Sequence, residues 1–269
     1  PYYQYFSGYD VFQWEFPIAP SDLVHFRKRI GQKGAEFILK SSFDIQDQRK
    51  MKCEQVIVDT TVQPKNITYP TDSKLRKKVI EKCKKLAKEE GIVLRRSYGK
   101  EVKTLMKKVY NGTHPRRKRP AGKATKRLKT IANVLIRELN RKLNPEQLVR
   151  YAQELELWQK AANQERNDKN KIYSLHETDV ACIAKGKAHP KYEFGSKVSF
   201  VTTLRTNLVL SVTNFQGNPH DSKTLGESFN SMERITGKLP KQAIGDRGYR
   251  GPKEIKGVEI IRPTSGIGK

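Results

Sequence analysis

The chain has 269 residues, 36% of them hydrophobic, which is lean but enough for a packed core in one large or two small domains. Lys plus Arg number 54 against 28 Asp plus Glu, and the resulting formal net charge of +26 exceeds what solubility requires, so the expected partner is a polyanion. No apolar run nears the roughly 20 residues that cross a bilayer and no signal pattern opens the chain, so a membrane-spanning helix is excluded and a cytoplasmic protein is predicted.

Three widely spaced cysteines, Cys53, Cys83 and Cys182, exclude a disulfide framework and a zinc knuckle and read as reduced, mostly buried thiols. The chain opens on Pro1 and stops shortly after a predicted strand, so both ends are expected to be cut.

The first twenty residues carry Tyr2, Tyr3, Tyr5, Phe6, Tyr9, Phe12, Trp14 and Phe16. No Lys or Arg is interleaved with them, so packing beneath the next helix is expected in preference to a stacking platform for bases. Ser21 and Asp22 offer an N-cap to a helix with Leu23, Phe26 and Ile30 on one face, broken by Gly31 and Gly34 before Phe37-Ile38-Leu39. Arg27, Lys28 and Arg29 surround it, and residues 1–52 are expected to form an N-terminal helical region that contacts DNA.

Val56-Ile57-Val58-Asp59 is a short apolar run that ends in a carboxylate, and a strand is predicted over Gln55 to Asp59, with a loop from Thr60 to Tyr69. From Thr71 to Asn170 the pattern turns helical. Leu75, Val79, Cys83 and Leu86 follow a Ser73 cap, then Val102, Leu105, Met106 and Val109, then Leu128, Ile131, Leu135 and Leu139. Asn144-Pro145 opens a fourth helix through Leu148, Ala152, Leu155 and Trp158. Between Lys74 and Lys129 stand 22 Lys plus Arg against four Glu, which places most of the excess charge in one segment. Its peak, Arg116, Arg117, Lys118 and Arg119, lies between Pro115 and Pro120 and is expected to be a non-helical loop that contacts phosphates.

Beyond Ile172 strands return, at Tyr192 to Thr202 and Asn207 to Phe215. His176, Glu177 and Asp179 read as polar loop residues, and His25, His114, His189 and His220 lack ligand spacing. Asp221 reads as the N-cap of a helix carrying Leu225, Phe229 and Met232 and ending at Gly237, and only as a minor candidate for the carboxylate site. In Gln242 to Gly251, Ala243 and Ile244 end a short buried strand, and Gly245 and Gly248 bracket Asp246 where a tight turn is expected. Two strands that end in carboxylates predict a divalent-metal site, because neighbouring strands lie only about 5 Å apart. Arg247 and Arg250, beside the second strand, are candidate contacts for a DNA phosphate. A last strand is predicted at Val258 to Ile261.

With residues 71–170 set aside, the order is strand with Asp59, strand, strand, helix, strand with Asp246, strand. This predicts an α/β ribonuclease H-like mixed sheet over residues 53–70 and 171–269, with the strands of Asp59 and Asp246 side by side and residues 71–170 as a basic all-helical insertion after the first strand.

Several runs resemble the DDE transposases of bacterial insertion sequences, in particular the insertion-sequence-five-like group. They are Asn218-Pro219-His220-Asp221-Ser222-Lys223-Thr224-Leu225, Ala243-Ile244-Gly245-Asp246-Arg247-Gly248-Tyr249-Arg250-Gly251, Cys182 to Lys187 with Tyr192 to Lys197, and Tyr5-Phe6-Ser7-Gly8 with Leu23 to Gly31. The resemblance implies cleavage and transfer of DNA strands with two divalent ions, Mg²⁺ or Mn²⁺, Asp59 bridging both and Asp246 as second ligand. It implies duplex DNA as partner, both element terminal inverted repeats and target DNA, a homodimer or larger assembly on that DNA, and a place at the bacterial nucleoid. It also puts a third ligand, a Glu, on a helix after the last strand. Glu254 and Glu259 do not match that position, so the third carboxylate is expected beyond Lys269 and the chain as given is expected to bind DNA without cutting it. The alternatives are a DNA-binding remnant without turnover and a ribonuclease H-like nuclease.

Overall fold

The computed structural model describes residues 2–15, 18–46, 54–184 and 191–263. The N-terminal region holds α1 (Tyr2–Phe6) and α2 (Pro20–Asp44). The N-cap of α2 is Ala19, whose backbone N–H donates to Asp22 at 3.0 Å, so the helix starts before the Ser21-Asp22 cap expected for it. Pro20 at the first helical position explains the early start, since it has no N–H to satisfy and its φ is already helical. The break falls at Gly31, with φ 57° and ψ −161°, and Gly34 stays within the helix.

The expectation that the N-terminal aromatics pack beneath this helix is overturned: Tyr2, Phe6 and Trp14 are each about nine-tenths exposed. The helix offers them little cover, because Leu23 and Phe26 are themselves exposed and Phe43 is its buried residue. Phe16 and the side chain of Tyr3 lie outside the description.

Seven strands follow: β1 (Gln55–Pro64), β2 (Ala181–Ala184), β3 (Tyr192–Thr203), β4 (Val209–Phe215), β5 (Gln242–Ile244), β6 (Glu254–Ile255) and β7 (Val258–Ile261). They form one mixed sheet in the order β2-β3-β1-β5-β7-β6, with β4 also on β3. β1 pairs with β5, and β5 with β7, in parallel, while β2 with β3 and β6 with β7 are antiparallel. The strands of Asp59 and Asp246 are thus neighbours, as their order in the sequence predicts.

β1 runs on to Pro64 through the stretch expected to be a loop, with Val62 buried in the alternation of a half-buried strand. Gly195 on β3 is held so close to β1 that a Cβ there would collide with the Gln63 carbonyl oxygen. Strands β2 and β6, each four residues or fewer, were not expected; both are defined by their pairing with a longer neighbour.

The chain divides into two compact units, residues 1–60, 199–213 and 220–269 in the first, and residues 61–198 and 214–219 in the second. The core of the first gathers Val56 and Val58 of β1, Leu210 of β4, Ala243 of β5, Ile260 of β7, and Phe229 and Met232 of helix α8 (Leu225–Thr236). This helix ends at Gly237 with φ 75°, a left-handed C-cap that glycine adopts without strain.

The second unit holds α3 (Asp72–Glu89), α4 (Gly99–Val109), α5 (Pro115–Lys142), α6 (Pro145–Arg150) and α7 (Ala152–Asn163), all between β1 and β2 in the chain. Val79, Cys83, Leu128, Leu135, Leu139 and Ala161 form the centre of its core. Thr71, not Ser73, caps α3 by accepting from the Lys74 N–H at 3.3 Å. Asn144 caps α6 in a reciprocal pair with Gln147, and the single helix expected from there splits at Tyr151.

The basic run expected as a loop is instead the first two turns of α5. Pro115 occupies the first helical position, where a missing N–H costs nothing, and Pro120 lies inside the helix. Pro120 forfeits one backbone hydrogen bond at an exposed turn, where solvent can take up the stranded carbonyl. Among the described residues no helix is long and apolar enough to cross a membrane.

Candidate functional site

The site is built midway along β1 and just beyond the end of β5. Val56 faces Ala243 and Ile57 faces Ile244 in the parallel register, and each strand carries its carboxylate two residues further on, at Asp59 and Asp246. Equal distances from one register put the two acids at the same level on neighbouring strands, while alternation leaves Val56, Val58 and Ala243 buried. Both aspartates are exposed.

Each is anchored locally through one oxygen. Asp59 Oδ1 accepts from the Thr60 N–H at 2.8 Å, and Asp246 Oδ1 accepts from the Gly248 N–H at 2.7 Å.

A third aspartate stands beside them. Asp221 Oδ1 accepts from the Thr60 hydroxyl at 2.8 Å. Asp221 is not the N-cap that its place before a helix suggested, because His220 has that role. His220 Nδ1 accepts from the Ser222 N–H at 3.3 Å, and Asp221 is the first residue of the single 3₁₀ turn that leads into α8. With the cap supplied by its neighbour, the Asp221 carboxylate accepts from Thr60 of β1.

The chain turns directly after Asp246, as expected, with the Tyr249 N–H donating to the Asp246 carbonyl at 3.3 Å; neither Gly245 nor Gly248 has positive φ, and both serve close approach. A Cβ on Gly245 would lie 2.7 Å from Cδ2 of the Tyr249 ring, which therefore lies against the backbone beside Asp246. A Cβ on Gly248 would lie 2.8 Å from Asp221 Oδ2 and 2.9 Å from Asp246 Oδ1, so both carboxylates crowd the space beside the Gly248 backbone that a side chain would fill.

Tyr249 itself is buried, and its hydroxyl makes no hydrogen bond of ordinary geometry. Burial first, and then the charges of Asp221, Asp59 and Asp246, push its pKa up; nearby Thr60 opposes the shift weakly without reaching hydrogen-bonding geometry. Thr60 and Tyr249 are the neighbouring residues that sequence reasoning passed over, and Asp221 was weighed there chiefly as a helix cap. A hydroxyl directly after a candidate ligand, and a His-Asp pair before a helix, were the available signals.

The donor chemistry suits a hard divalent cation: carboxylate oxygens carried by one strand and by the segment just past another, solvent-exposed, with an apolar floor. Among the described residues, however, no three His, Cys, Asp or Glu side chains are gathered closely enough to hold a metal ion.

The other sequence candidates lie elsewhere in the chain. Arg247 and Arg250, in the turn after Asp246, are exposed and make no ion pair among the described residues. Arg116, Arg117, Lys118 and Arg119 are likewise exposed, on a helical first turn that carries no acidic residue. The four glutamates of the basic segment are already engaged: Glu81 with Lys77, Glu89 with Lys85, Glu90 with Arg150, and Glu101 with Arg96 and Arg127.

His176 shares a 2.9 Å hydrogen bond with Ser174, and Glu177 pairs with Lys65, in keeping with polar loop roles. His189 and Cys53 lie outside the described residues. Cys83 and Cys182 are free thiols, and burial pushes Cys83 up to about 12.

Residues 174–268 match the family described as transposase DDE domain. The matched segment includes Asp221, Asp246 and Tyr249; Asp59 precedes it. Over 120 residues the chain is 42% identical to a protein of Rhizobium meliloti described as "Uncharacterized protein ORF8 in nfe locus", an overlap that covers 43% of this chain and 58% of that protein. The chain thus spans little more than half the length of that relative. No solved structure matches.

Proposed function

From the transposase DDE domain carried by residues 174–268, we propose that the protein is a DNA transposase that cuts and joins DNA strands at the ends of an insertion sequence. The observation that carries this reading is the pairing of β1 with β5, which sets Asp59 and Asp246 at one level on adjacent parallel strands. In this reading Asp59 and Asp246 would hold the divalent ions, Mg²⁺ or Mn²⁺. The bound ions supply charge stabilisation to the attacking and leaving oxygens of a phosphodiester. The Thr60 and Gly248 N–H groups fix the two carboxylates in orientation, and Arg247 and Arg250 neutralise phosphates next to the cut.

The second unit takes the role of a DNA grip, a basic helical insertion in the catalytic fold. Four cations on the first two turns of α5 sit at the positive end of the helix dipole, an arrangement that costs stability unless an anion comes to it. Backbone phosphates of terminal-repeat and target DNA supply that anion, and the assembly on two element ends is a homodimer or larger. Its place of work is the bacterial nucleoid.

DNA binding without turnover is a second reading, favoured by the lack, among the described residues, of a three-ligand group. One assay separates the two. With Mg²⁺ or Mn²⁺ and labelled terminal-repeat duplex, the full chain should nick and join DNA, and Asp59→Asn or Asp246→Asn should abolish both while leaving binding intact. Binding with no product in either metal supports the second reading, and cutting without joining supports a nuclease.

A further inference from the structure

In a chain of net charge +26, residues 2–15 carry Asp10 and Glu15 and no Lys or Arg. The segment holds its own shape. Gln4 Nε2 donates to the Gln13 carbonyl at 2.7 Å and the Gln13 N–H donates to Gln4 Oε1 at 3.0 Å, which ties the stretch after Gly8 back to α1. Phe12 and Trp14 then form an edge-on pair with ring centroids 4.8 Å apart, and Trp14 is nine-tenths exposed. Asp10 and Glu15, on either side of the pair, are exposed and make no ion pair among the described residues. An ordered aromatic pair left in water is the kind of surface that anchors a protein contact.

A surface of complementary chemistry lies in the second unit. Between α3 and α4 is a groove of about 590 Å³ with Ile80, Val102 and Met106 as its floor and Tyr110 at its edge. Ile80 belongs to α3, and both it and Val102 are buried, so the floor is fixed by the packing of the two helices. Lys84, Lys103 and Lys107 stand around it without an ion pair among the described residues, while Lys77 is matched by Glu81 at 3.4 Å. A phosphate backbone would neutralise these lysines and leave the apolar floor wet. An acidic aromatic segment answers both, and the volume lies within the roughly 300–1,000 Å³ of pockets that seat compact apolar groups.

We propose that the Phe12–Trp14 pair docks in the α3–α4 groove of a second copy of this chain, with Asp10 and Glu15 facing the lysines. Charge complementarity selects the occupant: an acidic segment of a basic protein meets unmatched cations around an apolar floor. The partner is a second copy because Trp14 is left uncovered by its own chain. The contact needs neither DNA nor a metal ion.

The test follows the full chain, freed of nucleic acid, by sedimentation equilibrium and tryptophan emission. Of the two tryptophans Trp158 is already buried, so a blue shift that grows with protein concentration reports Trp14. Trp14→Ala should weaken self-association about tenfold or more and abolish the shift, with circular dichroism to confirm folding. Asp10→Lys with Glu15→Lys, and Lys103→Glu with Lys107→Glu, should each prevent self-association. Mixing the two variants should restore it, because each then presents the charge that the other lacks. A chain that stays monomeric at every concentration, a dimer indifferent to Trp14→Ala, or charge variants that fail to associate when mixed overturns the proposal. It is equally overturned by a shift already complete in the monomer, which places the segment on its own chain. A shift seen only with duplex DNA and unchanged by Lys103→Glu with Lys107→Glu overturns it too, and makes the aromatics a DNA contact.

Discussion

The Thr60 hydroxyl donates to Asp221 Oδ1 at 2.8 Å, tying the residue after Asp59 on β1 to the turn that opens α8. Thr60→Val keeps the side-chain shape and removes the donor, leaving a half-buried carboxylate oxygen short of a partner. It should destabilise the fold by about 1 kcal/mol. An unchanged urea midpoint would show that solvent replaces the bond at no cost.

Gly248→Ala tests the close approach of Asp221 and Asp246. The added methyl would stand 2.8 and 2.9 Å from carboxylate oxygens, so both side chains must swing away. DNA cleavage should fall by about a hundredfold, since small displacements of catalytic groups have costs of that order. Global stability should change little, because exposed side chains can yield. Full activity in the alanine variant would mean that these two carboxylates need not stay close.

On α5 the two consequences of charge run in opposite directions. Replacing Arg116, Arg117, Lys118 and Arg119 with Ala removes cations from the positive end of a helix dipole, so thermal stability should hold or rise by a few tenths of a kcal/mol per residue. Duplex-DNA affinity should fall, and the log-log salt slope should flatten by about 0.9 for each phosphate that is no longer neutralised. A slope equal to that of the wild type would identify the run as a solvated face only.

Gly195→Ala addresses the packing of β3 on β1. The methyl would overlap the Gln63 carbonyl oxygen, a backbone atom with no room to retreat without loss of sheet pairing. A loss of about 3 kcal/mol or failure to fold is expected. Near-native stability would argue against this close approach.

Glu138 gives the second unit a pH dependence. The hydrogen bond from Lys142, and after it the Arg95 backbone N–H, hold its carboxyl below the usual range against the opposing effect of burial. A depressed folded-state pKa stabilises the fold above the unfolded value, about 4.3, and this contribution is lost as pH falls through the folded value. Glu138→Gln should therefore cost stability at neutral pH and little in acid. Parallel stability-against-pH curves for the two proteins would remove Glu138 from the acid transition.

Much of the chain was legible because its signals are local. Short apolar runs located the strands that carry Asp59 and lead to Asp246, although the first runs on to Pro64; helical spacing traced α3 to α5, and Asn144 and Gly237 marked helix ends by capping chemistry that acts within a few residues. Even the adjacency of the two strands followed from element order, since topology limits which parallel strands can be neighbours.

Misreadings arose where two local rules competed or where distant segments met. Pro115 and Pro120 indicated a loop, and the apolar face of α5 carried the helix through them. Asp221 had the sequence of a cap, and only the fold, by giving that role to His220 and bringing Thr60 across, turned its carboxylate toward Asp246. The sequence by itself determined which side chains could ligate a cation. Which of them share a site was decided by tertiary structure, because Thr60 and Asp221 stand 161 positions apart and meet only when β1 and the turn before α8 pack together.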